Sequence, residues 1–168
     1  MSRGRQFREL LRRGGLTIAP GAYDCITARS VIHAGFDAVY MTGAGTAATL
    51  GYPDYGLLTM SEMVDNAGRI AAAVDVPVIA DADTGYGNAL NATRTVREYE
   101  RRGVAGLHIE DQGFPKKCGH LDDKAIPTTR FGTSPVRHGP SGGTLWPRKP
   151  KCQILVGDAS KGWSHALI

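Results

Sequence analysis

The sequence predicts an α/β fold, the N-terminal half of a (β/α)8 TIM-type barrel: four β-α units over residues 1–126, then an irregular tail over 127–168. Three observations predict it. Short continuous apolar runs alternate with helix-length segments from Gly14 to Asp111, the pattern of parallel strands buried on both faces. Polar residues fall where those runs end: Thr42, Asp81, Asp83, Glu110 and Asp111. After Ile126 the chain changes character altogether.

Each element has its own warrant. Leu16 to Ala19 is a short apolar run closed by Pro20-Gly21, the expected first strand. Asp24 is placed to cap a helix running through Ala34, where Gly35 stops it. Ala38 to Thr42 is the second strand and leads into Gly43-Ala44-Gly45. Thr59 and Glu62 stand at capping-box spacing before a helix reaching about Val74. Val76 to Ala80 is the third strand, with Pro77 near its start. Asn88 or Asn91 opens a helix through Arg102 that Gly103 ends, and Gly106 to Ile109 is the fourth strand.

Two architectures share this pattern, a doubly wound sheet and a barrel. Acids at the ends of several different strands favour the barrel, since a doubly wound sheet gathers its ligand site at one switch point. No G-x-G-x-x-G follows the first strand, which counts further against a dinucleotide site. A complete barrel needs eight units, about 250 residues. Residues 127–168 supply none. They hold five of the nine prolines, and only Cys152 to Val156 reads as a strand. Residues 1–126 carry 14 Lys+Arg against 15 Asp+Glu, and residues 127–168 carry six against one. The shift in charge and proline content is read here as a change of reading frame.

Charge and composition exclude several functions. The net charge of +4 sits wholly in the tail, so the body offers no electrostatic footprint for nucleic acid. No apolar run approaches the ~20 residues of a membrane span, and the basic N-terminus lacks the apolar core of a signal peptide. The expectation is a cytoplasmic protein without membrane or nucleic-acid partners. Cys25, Cys118 and Cys152 have no metal-ligand spacing.

Three motifs carry chemistry. In Ala80-Asp81-Ala82-Asp83-Thr84-Gly85-Tyr86-Gly87, two carboxylates separated by one residue at a strand end point the same way. Their repulsion calls for a hard cation such as Mg²⁺, which takes one or two carboxylates and keeps several waters; helix or loop capping is the plainer alternative. Glu110-Asp111 ends the next strand and brings further acids to the same place. Lys116-Lys117-Cys118-Gly119-His120 places cations beside a thiol, lowering its pKa and fitting it for acid, base or nucleophilic work. Against this stands an ordinary surface loop. Gly43-Ala44-Gly45 can present backbone N–H groups to an anion, although a glycine-rich turn is weak evidence. Cys25, His33 and His108 read as structural.

Taken together, Pro20-Gly21-Ala22-Tyr23-Asp24, Thr42-Gly43-Ala44-Gly45, Leu50-Gly51-Tyr52-Pro53-Asp54, Asp81 to Gly87, His108-Ile109-Glu110-Asp111-Gln112 and Lys117-Cys118-Gly119-His120 resemble the isocitrate lyase and phosphoenolpyruvate mutase superfamily. The resemblance spans residues 7–126. It implies a (β/α)8 barrel, oligomeric when full-length, acting on small 2-oxo or 2-hydroxy acids through an enolate held on Mg²⁺, with Mn²⁺ as a substitute. It implies Asp83 as direct metal ligand, also close to substrate, with Asp81, Asp54 and Glu110 reaching the metal largely through water. Thr42, Gly43 and Ala44 would cradle the substrate carboxylate and Tyr23 would line the pocket. Cys118 would be the catalytic acid, with His120 beside it and Glu110 in the catalytic set. The Lys-Cys-Gly-His loop favours carbon–carbon lyases such as 2-methylisocitrate lyase. Carboxyphosphonoenolpyruvate phosphonomutases carry a similar loop, so mutase or oxaloacetate decarboxylase chemistry stays open, as does an inactive fragment. After Pro127 the family's carboxylate-binding Ala-Arg-Thr-Asp-Ala strand end has no counterpart.

Overall fold

The computed structural model describes residues 2–110, 112, 113 and 115–118, together with the backbone of two strands at 152–156 and 164–167. The elements in chain order are α1 (Arg3–Arg12), β1 (Gly21–Ala22), α2 (Cys25–His33), β2 (Val39–Met41), α3 (Gly43–Thr49), α4 (Met60–Ala73), β3 (Val78–Asp81), α5 (Ala89–Arg101), β4 (Gly106–Glu110), β5 (Cys152–Val156) and β6 (Ser164–Leu167). They form one sheet in the order β1-β2-β3-β4-β5-β6. The first four strands are parallel and in sequence order, with helices crossing between them. This is the first half of a (β/α)8 barrel.

Local chemistry sets the helix ends. Asp24 and Thr27 form a reciprocal capping box on α2, the Asp24 carboxylate accepting the Thr27 N–H at 2.7 Å. Thr59 and Glu62 do the same for α4, and Asn88 with Asn91 for α5. Each box satisfies orphan N–H groups of the first helical turn. Accepting hydrogen bonds also holds the Asp24 and Glu62 carboxyls below their ordinary pKa.

Alternation along the strands then builds two apolar layers. Val39, Met41, Val78, Ala80 and Leu107 pack against helix residues Met63, Ala67, Ile70 and Tyr99. On the opposite face, Ala38, Ile79 and Ala105 are covered by Phe7 of α1. Arg3 anchors α1 by donating to the Val74 carbonyl at 3.0 Å and to the Asp75 carbonyl.

The structure differs from the sequence reading at four places. The first strand lies at Gly21–Ala22, not at Leu16 to Ala19, and Leu16 is 87% exposed. Pairing with β2 decides this: the Pro20 carbonyl accepts from Tyr40 N–H, and Gly21 and Ala22 stand opposite Tyr40 and Met41. Second, the basic N-terminus forms a helix, because Ser2 caps it and Phe7 is buried. Third, the glycine-rich turn Gly43-Ala44-Gly45 is the first turn of a helix, α3, that the sequence reading does not include, with Thr42 as its cap. Fourth, the tail contributes two strands where one was expected. β5 runs antiparallel along the whole of β4, from Gly106↔Val156 to Glu110↔Cys152, and β6 pairs with β5.

Candidate functional site

The carboxylates meet where the parallel strands end. Asp81 is the last residue of β3 and half-buried. Asp83 is not on the strand. It sits in a left-handed turn at φ 47°, and strand alternation therefore does not aim it. Backbone and side-chain bonds fix it at both ends: Asp83 N–H donates to Asp81 Oδ1 at 2.9 Å, and its carbonyl accepts from Glu110 N–H at 2.7 Å. The loop thereby ties the ends of β3 and β4 together. Asp sits in left-handed geometry at lower cost than most residues, and holding it there still costs on the order of 1–3 kcal/mol.

From the β2 side, Gly43 N–H donates to Asp81 Oδ2 at 3.2 Å. A Cβ at Gly43 would stand 2.5 Å from that oxygen, so any other residue there would have to displace the Asp81 carboxylate. Thr42 spends its hydroxyl oxygen on Gly45 N–H at 3.1 Å, and Ala44 is exposed. Tyr23 lies against this turn, since a Cβ at Gly45 would meet the Tyr23 Cβ at 2.8 Å. Asn66 of α4 secures the arrangement by donating to the Tyr23 carbonyl at 2.9 Å and to Thr46 Oγ1 at 3.0 Å.

A lysine closes the site. Lys116, only 5% exposed, reaches the acids with its ammonium: it pairs with Asp83 Oδ1 at 2.5 Å and also with Asp54. In the sequence Lys116 serves to lower the pKa of Cys118; here its charge is committed to two aspartates. The flanking acids raise the Lys116 pKa against the opposing effect of burial. Gln112 holds the loop from the other side, donating to Glu110 Oε2 at 2.5 Å and accepting from Lys117 N–H at 3.0 Å.

Even so, positive charge falls short of negative. Burial pushes the Asp83 carboxyl up to about 6, with the Asp81 charge adding to the effect and Lys116 opposing it. Burial likewise raises Asp81. Asp83 Oδ1 is buried, and the Lys116 ammonium stands directly against it. Asp54, Asp83 and Gly43 also line a cavity of about 10 Å³, the room of one water molecule.

Among the described residues no three His, Cys, Asp or Glu side chains converge as a ready-made metal cluster. A hard divalent cation needs less. Mg²⁺ is commonly held by one or two carboxylates and several waters. The all-oxygen donors, and the excess of carboxylates over the single Lys116 ammonium, fit such an ion. Asp54, Asp81 and Asp83 are thus brought together; Glu110 joins through its backbone bond to Asp83. Cys118 lies two residues beyond Lys116 and is half-buried. Asp111 and His120 lie outside the described residues.

The family model described as phosphoenolpyruvate phosphomutase matches residues 7–131. The chain belongs to that family. It is 57% identical over 127 residues to the 2,3-dimethylmalate lyase of Eubacterium barkeri, covering 75% of this chain and 44% of the relative. A crystal structure of a 2,3-dimethylmalate lyase, described as a PEP mutase/isocitrate lyase superfamily member, matches with a TM-score of 0.71 at 47% identity, covering 76% of this chain and 43% of that one. The 2-methylisocitrate lyase of Aeropyrum pernix is 48% identical over 123 residues, covering 73% of this chain and 40% of its own. Phosphonopyruvate hydrolase in complex with oxalate and Mg²⁺ matches with a TM-score of 0.66 at 35% identity, over 70% of this chain and 41% of that one. The chain spans about two-fifths of the length of these relatives. No described helix is long and apolar enough to cross a membrane.

Proposed function

We propose that this chain is the strand-one-to-four half of a Mg²⁺-dependent carbon–carbon lyase acting on a small 2-hydroxy or 2-oxo acid such as 2-methylisocitrate. The observation that carries the reading is Asp83: left-handed, buried beside Asp81, and raised to about 6 by burial and by the Asp81 charge. Asp83 would hold the ion, with Asp81, Asp54 and Glu110 around it. When bound, Mg²⁺ (or Mn²⁺) would supply stabilisation of enolate charge. The oxalate and Mg²⁺ bound to phosphonopyruvate hydrolase support this, since oxalate has the charge and shape of a small enolate.

The chain's own residues divide the rest of the work. Thr42, Gly43 and Ala44 would receive the substrate carboxylate at the start of α3, and Tyr23 would line the pocket. Glu110 would take the proton of the 2-hydroxyl as the carbon–carbon bond breaks and its electron pair passes to the departing acid. Cys118, with His120 on the same loop, would return a proton to that carbon. The products are then a 2-oxo acid and a carboxylic acid. The expected partner is a small carboxylate in the cytoplasm, and the full-length form would be a homo-oligomer.

Incubating the purified chain with 2-methylisocitrate, 2,3-dimethylmalate or oxaloacetate, with and without Mg²⁺, and assaying the acids formed tests the reaction. Mg²⁺-dependent release of a 2-oxo acid from either of the first two is the expected result. Cleavage of oxaloacetate alone would overturn the lyase reading.

A further inference from the structure

Helix α5 carries two groups that the proposed chemistry does not use, and both aim at the acid loop from below. Tyr99 is completely buried, and its hydroxyl donates to the Asp81 carbonyl at 3.0 Å. Asp81 lies one residue past the last β2–β3 pair, Met41↔Ala80. A side chain from α5 therefore supplies a hydrogen bond where the β2 ladder has ended. Tyr86, itself in a left-handed conformation at φ 59°, stands 3.1 Å away, hydroxyl to hydroxyl. Tyr99 has one hydroxyl proton and gives it to Asp81, so Tyr86 must be the donor between them. The order is Tyr86 O–H to Tyr99 O–H to Asp81 C=O. Burial raises both phenols above their ordinary pKa, which keeps both protons in place.

One turn earlier on α5, Thr95 is also fully buried and donates to the Gly85 carbonyl at 3.0 Å. Helix and loop are in close contact here. A Cβ on Gly85 would meet the Ala92 Cβ at 2.9 Å, and one on Gly87 would meet Asn91 Oδ1 at 2.5 Å. The same loop holds two non-glycine residues at positive φ, Asp83 and Tyr86. Strained backbone persists only where its surroundings over-determine it. α5 provides that surrounding at Asp81, Gly85 and Tyr86, on both sides of Asp83.

We infer that Tyr99, Tyr86 and Thr95 are positioning residues, a hydroxyl clamp through which α5 sets the backbone of the Asp81–Gly87 loop and hence the direction of the Asp83 carboxylate. The inference rests on the cation-site reading for its functional meaning, while the clamp can be measured without any cation.

The test is amide hydrogen exchange on the full chain, wild type against Y99F, Y86F, T95V and T95S. Three amides report the loop: Ala82 N–H bonded to His108, Gly85 N–H bonded to Ala82, and Glu110 N–H bonded to Asp83. Y99F is expected to lower protection at these three by about tenfold, the equivalent of one lost hydrogen bond, while amides of α4 such as Ala67 and Ile70 stay within about twofold. Y86F removes only the outer donor and should do the same more weakly, which keeps the test valid if Y99F fails to fold. T95V should loosen Gly85, and T95S should restore it by keeping the hydroxyl. Unchanged protection at Gly85 and Glu110 in Y99F and Y86F would overturn the inference, as would an equal loss across α4, which marks a merely structural role. A parallel Mn²⁺ titration separates the two readings: wild type binding no Mn²⁺ refutes the cation site, and the exchange pattern still decides the clamp.

Discussion

Two loops meet at the candidate site, and they are held by different kinds of force. The loop after β3, from Asp81 to Gly87, is fixed through its backbone. Asp83, Gly85, Tyr86 and Gly87 all take positive φ, and main-chain bonds tie the loop to itself and to Glu110. Hydroxyls from α5 hold it from beneath. The loop after β4 is held through side-chain charge and amide groups: Lys116 on Asp54 and Asp83, Gln112 on Glu110 and on Lys117 N–H. Apart from the Asp81 carboxylate on Asp83 N–H, the ties of the first loop are uncharged, whereas an ammonium between two carboxylates responds to pH, salt and cations. The first loop thus fixes where the acids stand, and the second responds to how their charge is balanced.

Removing the lysine should break the contrast most severely. K116A leaves Asp54 and Asp83 without their cation, and deleting one partner of a buried pair costs about 3–5 kcal/mol. Denaturant unfolding should show a loss on that scale. A change within about 0.5 kcal/mol would mean that the second loop contributes nothing to the fold.

Asp83 should show a smaller effect of opposite sign. Its folded pKa of about 6 lies above the ordinary carboxylate value of 3.8, so the folded state binds the proton more tightly than the unfolded state. Stability from this group is therefore fully present at low pH and declines as pH rises from about 4 to about 6. D83N removes the titration and should be more stable than wild type above pH 6, by up to roughly 3 kcal/mol. The difference should vanish near pH 4. Equal pH profiles for the two proteins would show that the Asp83 charge is already compensated.

Much of this site was legible in the sequence because barrel strands are short apolar runs whose ends can be counted. Asp81 and Glu110 end their strands as that count predicts, Asp83 lies beyond its strand in left-handed backbone that the count does not show, and Asp54 is implied only by the family resemblance. The capping residues Asp24, Thr59 and Asn88 were legible because a cap is a local bond. What escaped was tertiary. Nothing local distinguishes Lys116 from Lys117, yet only Lys116 reaches an aspartate 62 residues earlier. The Tyr99 bond to Asp81 spans 18 residues and two elements. The two-residue β1 was misplaced because its position comes from pairing with β2. In Ser164–Leu167, four residues are too few for periodicity to show.

The smallest expected effect lies away from both loops. Thr59 caps α4 through Glu62 at its exposed end, and T59A should cost about 1 kcal/mol. Its midpoint should fall with no change in cation binding, which calibrates a loss of stability unrelated to the site.

The most direct measurement of the central claim is a Mn²⁺ titration of the purified chain followed by electron paramagnetic resonance, with and without oxalate. The account predicts one bound Mn²⁺ per chain, tightened by oxalate and lost in D83N while the fold is retained. A wild-type chain that leaves Mn²⁺ free in solution, or a D83N variant that binds it equally well, would contradict the assignment of Asp83 as the residue around which this site is built.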